Sequence, residues 1–251
     1  MAQSEFDRDQ FDEAYPPGIE RSWWHVARNR VIADALADHL PRSTKTLEVG
    51  CGTGIVTAYL RARKWDVTGI DLGSPKSGVL APEHLLLGQD ATTVPKDLRD
   101  TFTSLLLLDV IEHVHDAPLF LRSLLAAYPN VRHLVVTVPA RKELWTTFDD
   151  HFGHFRRYDR TMLRDDLTKA GLTTDRVAYF FHGLYGAIGL NNLFRGRKRA
   201  VRFSAPEAGL ASRINQVLGA AFAMEARLLP KALVGSSLIA VAQRTPASAS
   251  T

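Results

Sequence analysis

Between residues 23 and 40 the apolar side chains Trp24, Ala27, Val31, Ala35 and Leu36 return at helical spacing, which predicts one amphipathic helix stopped by Pro41. Beyond it, short apolar runs alternate with helical segments. Residues 46–49, 66–70, 84–87, 103–108 and 131–138 read as strands, and 55–63 and 117–127 as helices. The strands are apolar without alternation, as strands covered on both faces must be. An α/β fold around a mostly parallel sheet is therefore expected, with helices on both faces.

After Pro139 the rhythm changes. Residues 141–158 mix aromatics, histidines and arginines without a period and read as a functional loop, and 159–170 as a helix closed by Gly171. Residues 173–181 and 236–243 supply two more strands, bringing the expected sheet to seven. More than fifty residues separate these two. They hold the basic cluster Arg195, Arg197, Lys198, Arg199 and Arg202 and an amphipathic helix near 213–229. The small polar tail, 245–251, is expected to be disordered.

The chain has 251 residues, 45% hydrophobic and 23% charged, which fits one large domain with a helical appendage. Its single cysteine, Cys51, rules out an internal disulfide and a cysteine-rich metal cluster. The start is acidic (Glu5, Asp7, Asp9, Asp12, Glu13), unlike a secretory signal, and no apolar run could span a bilayer. A soluble, cytoplasmic chain is expected. Charge is uneven: sixteen Lys/Arg against twenty-one Asp/Glu precede His151, and fifteen against six follow from it. A basic last part suits an anionic substrate or surface, or is simply a solvated face.

The most informative stretch is Leu47-Glu48-Val49-Gly50-Cys51-Gly52-Thr53-Gly54, placed where a strand ends and a helix begins. Alternate glycines let the backbone turn sharply and approach a ligand without a Cβ in the way. A dinucleotide fingerprint, G-x-G-x-x-G, fails in both registers, because Ile55 and Thr57 stand where the third glycine would fall. The G-x-G-x-G preceded by Glu48 resembles instead the first motif of class I S-adenosylmethionine-dependent methyltransferases. Three further positions match that family in order: Asp71 ending Val67-Thr68-Gly69-Ile70-Asp71, Asp90 in Gly88-Gln89-Asp90-Ala91, and Asp109 before Val110-Ile111-Glu112-His113-Val114. The resemblance covers residues 45–140 well and later parts more loosely.

The resemblance implies a Rossmann-like, mostly parallel seven-stranded sheet and S-adenosylmethionine as cofactor. It implies that Glu48, Gly50, Cys51, Gly52 and Gly54 hold the amino-acid end. Asp71 and Leu72 would take the ribose, Asp90 and Ala91 the adenine, and Asp109 and Val110 the methionine flank. It divides a single methyltransferase domain, 1–251, into a lead-in and helix (1–42), a cofactor-binding core (43–140), and an acceptor side with helical insertion and final strands (141–251).

Methyl transfer to a hydroxyl needs a base, and a histidine near neutral pKa can serve. His113 and His115 follow Asp109, and His151 and His154 lie in Asp149-Asp150-His151-Phe152-Gly153-His154-Phe155-Arg156-Arg157-Tyr158. A similar His-x-Arg-Arg-Tyr segment occurs in a bacterial branch linked to quinone, glycan and secondary-metabolite pathways. His154 leads as base or substrate contact, then His151 and His113; a purely structural role, with Arg156 or Arg157 pairing with Asp149 or Asp150, is the alternative. No metal is expected, the candidates being Asp109, Glu112 and His113, which resemble an acidic-His cation site of some quinone methyltransferases. Trp23, Trp24, Trp145, Phe148, Phe152 and Tyr158 could build an aromatic acceptor pocket.

The expected activity is methylation of a small-molecule, glycan or quinone-like acceptor, the insertion capping the site or touching a membrane leaflet peripherally. An RNA methyltransferase is the rival suggested by the basic part, though no recognised RNA module accompanies it and no nucleic-acid partner is expected. A non-catalytic cofactor-binding protein is the other. The sequence leaves the oligomeric state open.

Overall fold

Apolar residues at consecutive strand positions need cover on both faces, and the architecture supplies it. The computed structural model describes residues 13–75, 79–198 and 203–244. Its strands are β1 (Thr46–Val49), β2 (Val67–Asp71), β3 (Leu85–Leu87), β4 (Ser104–Leu108), β5 (His133–Pro139), β6 (Leu172–Phe180) and β7 (Ser237–Arg244). They lie in the order β3-β2-β1-β4-β5-β7-β6. Only β7 opposes its neighbours, pairing antiparallel with β5 and β6.

The helices are α1 (Trp23–His39), α2 (Ile55–Arg61), α3 (Lys96–Arg99), α4 (Ala117–Ala127), α5 (Thr147–His151), α6 (Arg160–Lys169), α7 (His182–Arg195) and α8 (Leu210–Leu228). β4 shows the two-sided cover directly. Leu105 and Leu107 pack with Leu121 and Leu124 of α4 and Leu163 and Leu167 of α6. Leu106 and Leu108 turn the other way, onto Ile32 and Leu36 of α1, Leu60 of α2 and Ala226 of α8. Each fully buried leucine contributes on the order of 2 kcal/mol. Side-chain caps start the flanking helices: Asp116 accepts from Leu119 N–H at 2.9 Å, and Asp159 from Met162 N–H at 2.8 Å.

The sheet order reverses at β1, whose neighbours are β2 and β4. In open α/β sheets a crevice forms beyond the carboxyl ends of the strands at such a point. The glycine turn and Asp109 are there.

Strand boundaries match the sequence reading to within a few residues. Helix α7 does not: the insertion holds a second helix that periodicity did not show. Gly183, Gly186 and Gly189 each cost about 1 kcal/mol relative to alanine in a helix and hide the pattern. Tertiary contacts override them, since Glu225 of α8 accepts from Gly183 N–H at 3.2 Å and a Cβ at Gly183 would meet that carboxylate. Residues 141–158 also hold more structure than a loop, namely α5 and a 3-10 turn at Lys142–Leu144. The tail expected to be disordered, most of the acidic start, and Arg199 and Arg202 lie outside the described residues, as does the side chain of Arg195. Among the described residues no helix is long and apolar enough to cross a membrane.

Candidate active site

Four neighbouring strands deliver the expected cofactor residues to one edge. Asp90 follows β3, Asp71 ends β2, the glycine turn follows β1 and Asp109 follows β4. Gly50 has φ 75°, and a Cβ there would come within 2.7 Å of Val110 Cγ2. This glycine is required twice over, by its left-handed backbone and by the closeness of the β4 loop. Gly52 N–H donates to Asp71 Oδ2 at 2.7 Å, and Gly73 N–H to Asp71 Oδ1 at 2.8 Å. Asp71 thus ties the glycine turn to its own loop. Cys51 is buried, its Sγ filling the space over Gly69, while Leu72 is exposed at the rim. Asp90 Oδ1 accepts from both Thr92 N–H and Thr92 Oγ1 at 2.7 Å, and Ala91 lies in the core with its carbonyl accepting from Tyr128.

Glu48 is buried in the middle of β1 and accepts from Thr57 Oγ1 of α2. Burial pushes its pKa up to about 7, against the Thr57 hydrogen bond and the Arg28 guanidinium, which pull it down. A carboxyl with a raised folded pKa contributes stability that is full below its unfolded value, near 4.5, and is lost as pH rises through about 7. Glu48→Gln is therefore expected to melt about 5 °C higher than wild type at pH 8 and equally at pH 4, read by scanning calorimetry of the apoprotein. Equal melting temperatures at pH 8 would refute the burial cost.

Arg28 and Tyr15 complete this region, and neither was singled out in the sequence. Arg28, buried on α1, pairs with Asp109 Oδ2 at 2.7 Å and reaches Thr137 Oγ1 of β5. The signal was present: Arg28 is the charge on the apolar face shared by Trp24, Ala27 and Val31. Asp109 sits at φ 60°, which aspartate tolerates better than most residues, and its other oxygen accepts from Thr137. Tyr15 lies over the glycine turn, within 3.0 Å of where a Gly52 Cβ would be. Burial pushes its hydroxyl pKa up.

The expected acceptor side is built on α5 and the segment after it. Asp149, fully buried, accepts from His154 Nδ1 at 2.8 Å, Arg157 Nε at 2.7 Å and Thr146 N–H at 2.8 Å. Burial alone would raise its pKa, but the hydrogen bonds from His154 and Arg157 outweigh that and hold it at about 2. A carboxylate can only accept, so the Nδ1 proton belongs to His154, and in the neutral ring Nε2 would carry the lone pair. The His113 ring meets the His154 ring edge-on, 4.6 Å between centroids. Burial, and then the neighbouring His154, lower the His113 pKa to about 4, with Asp109 pulling the other way. His113 is neutral at physiological pH.

His151 is placed differently: its Nε2 pairs with Glu13 at 2.8 Å, joining α5 to the N-terminal segment. Arg157 pairs with Asp149 as the structural alternative proposed, whereas Arg156 binds the carbonyls of Val114 and His115. The aromatic set divides. Phe148 and Phe152 flank the His154 region and Phe203 joins them, but Tyr158 is core, Trp23 and Trp24 pack on Phe181, and Trp145 bonds Asp150. The structure also gathers a different metal-competent trio from the one named in the sequence. Glu112, His113 and His154 have ligating atoms within 4.8 Å of one another, while Asp109 is engaged by Arg28 and Thr137. Glu112 is fully buried, and neither carboxyl oxygen meets a hydrogen-bonding group of another described residue.

A doubly covered sheet, a glycine turn at its switch point and acids at or just after the ends of β2, β3 and β4 fit a nucleotide-type cofactor site of the Rossmann-like class. Residues 23–177 match the family model described as a methyltransferase domain, and the chain belongs to that family. S-adenosylmethionine is the cofactor that this fold implies. Among curated proteins it is similar to the ubiquinone biosynthesis O-methyltransferase of Pseudomonas entomophila (strain L48), 31% identical over 86 residues. That match covers 32% of this chain and 37% of the relative.

Solved structures agree on the fold. The magnesium protoporphyrin IX methyltransferase (ChlM) of Synechocystis PCC 6803, with bound SAH, has a TM-score of 0.53 at 16% identity, covering 94% of this chain and 93% of that one. The 1,6-didemethyltoxoflavin-N1-methyltransferase of Burkholderia thailandensis has a TM-score of 0.52 at 18% identity, covering 95% and 87%. The cradle fits the group: a left-handed glycine turn with no room for a Cβ at Gly50, bordered by Glu48 and Asp71.

Proposed function

We propose that this chain methylates a hydroxyl of a small aromatic acceptor, with His154 as the base. S-adenosylmethionine supplies a sulfonium-activated methyl group. The chain's part is to align the acceptor oxygen, exclude water and take its proton. Asp149 fixes the His154 tautomer and stabilises the imidazolium that forms, so Nε2 is the proton-accepting atom. The Asp149–His154 pair is the single observation that carries this reading. Phe148, Phe152 and Phe203 suit an aromatic ring, and the similarity to a ubiquinone-pathway O-methyltransferase supports an oxygen nucleophile. Glu48, Gly50, Cys51, Gly52, Gly54, Asp71, Leu72, Asp90, Ala91, Asp109 and Val110 are proposed as the cofactor contacts.

The test is methyl transfer to a panel of phenols and catechols by wild type and His154→Gln. The variant is expected to lose kcat by two to four orders of magnitude, to keep its affinity for S-adenosylhomocysteine, and to lose the acidic limb of the pH–rate profile. Unchanged kcat would overturn the role of His154. A second reading rests on the Glu112–His113–His154 cluster, which could hold a divalent cation that lowers the acceptor hydroxyl pKa instead. Activity abolished by EDTA and restored by Mn²⁺ would favour the cation over the histidine base.

A further inference from the structure

Helix α8 is apolar on two opposite sides. One side is used: Gly219 lies against Val26 and Trp23 of α1, closely enough that a Cβ would meet Val26 at 2.5 Å, and Ala223 and Ala226 are buried beside it. The other side carries Leu210, Ile214, Val217, Ala221, Met224 and Leu228, spaced alternately four and three residues apart. At 100° per residue these lie within about 40° of one line along the helix. Leu210 is 73% exposed, Val217 69% and Leu228 75%, so nothing among the described residues covers them. An uncovered apolar strip of this length marks an interaction surface.

Charge decides what fits it. Between residues 182 and 231 the sequence holds eight Lys/Arg and two Glu. Glu225, the sole acid of α8, is turned inward onto the first turn of α7, where it accepts from His182 and Gly183 N–H. Arg213 and Arg227 edge the strip on one side, both exposed. An antiparallel pair of such helices would set arginine against arginine along that edge, which disfavours a second copy. A phospholipid leaflet bearing negative headgroups instead pairs with the arginines while its acyl boundary takes the strip. The end of α7 repeats the chemistry, with Leu193 and Phe194 exposed at 75% and 79% just before exposed Arg197 and Lys198. Arg197 O accepts from Thr147 N–H at the start of α5, so this apolar and basic tip adjoins the acceptor side.

We infer that the outward strip of α8, with the end of α7, docks the enzyme peripherally on an anionic phospholipid leaflet. The strip lies on the surface, clear of the site residues, and the inference does not depend on which acceptor is methylated.

The experiment is flotation of the full chain with phosphatidylglycerol-containing vesicles and with vesicles of phosphatidylcholine alone. Wild type is expected to float with the anionic vesicles and to be released at about 0.5 M salt. Ile214→Glu/Val217→Glu is expected to bind at least tenfold more weakly, with S-adenosylhomocysteine affinity unchanged as the sign of an intact fold. Arg213→Glu/Arg227→Glu, which leaves the strip itself intact, should weaken binding about tenfold as well. Three results would overturn the inference: no flotation with anionic vesicles at low salt, equal flotation with phosphatidylcholine, or a stable dimer that Ile214→Glu/Val217→Glu dissociates.

Discussion

Asp149→Ala is expected to destabilise the protein by about 3–5 kcal/mol and to abolish methyl transfer together with it. The carboxylate is fully buried, and removing it leaves the Arg157 guanidinium without its partner at 7% exposure. It also removes the acceptor for Thr146 N–H at the start of α5 and the orienter of His154. Asp149→Asn separates the two effects. The amide keeps the volume but cannot hold the tautomer, so activity should fall by two orders of magnitude or more while the variant still folds.

The pH dependence follows from the sign of the shift. The Asp149 pKa is held at about 2 in the fold against 3.8 ordinarily. Its contribution, about 2 kcal/mol at 1.36 kcal/mol per unit, is present above pH 4 and lost as pH falls towards 2. Urea denaturation of wild type and Asp149→Asn should therefore show a gap that is constant from pH 8 to 5 and narrows below 4. A gap that widens on acidification would contradict the ion-paired carboxylate. Unchanged activity in Asp149→Asn would remove the dyad from the mechanism.

Asp71→Ala is expected to weaken S-adenosylhomocysteine binding on the order of a hundredfold or more. Two losses combine here: the carboxylate that would accept from the ribose hydroxyls, and the clamp on Gly52 and Gly73 N–H that shapes the turn. Hydrogen bonds to a charged group contribute roughly 1.5–3 kcal/mol each, so losing even one or two gives that factor. Titration calorimetry with S-adenosylhomocysteine, run beside NADH, reads it. Affinity within threefold of wild type would move the ribose site elsewhere. NADH binding would mean that the glycine turn serves a dinucleotide.

The glycine turn and the acids at the strand ends were legible because their signals are local. Glycines at alternate positions after an apolar run, and an acid at the end of each neighbouring run, already state where strands stop and what their ends carry. The acceptor side was legible only as a list of candidates. His151 and His154 are three residues apart in similar surroundings, yet one is tied to Glu13 at 138 residues' separation and the other to Asp149 inside its own turn. That difference is set by how α5 packs, which no spacing encodes. The same holds for the cation candidates: Asp109 was drawn in by proximity in sequence, but its left-handed backbone and the Arg28 pair take it away, and His154 comes in from the later segment. Helix α7 was invisible because its glycines mask a helix that the N–H groups at its start and Glu225 support from outside.

The position of β7 has a consequence for how the chain is made. Residues 237–244 form a strand that enters between β5 and β6 and pairs with both. Until these residues leave the ribosome, β5 and β6 cannot be joined, and the apolar side chains of β6 have no finished sheet to lie on. The proposed cofactor cradle lies at the ends of β1 to β4, which pair without them. Synthesis therefore yields a nascent chain in which β1 to β4 can be assembled while β5 and β6 still wait for β7, a stage at which the open edge of β5 is exposed to mispairing.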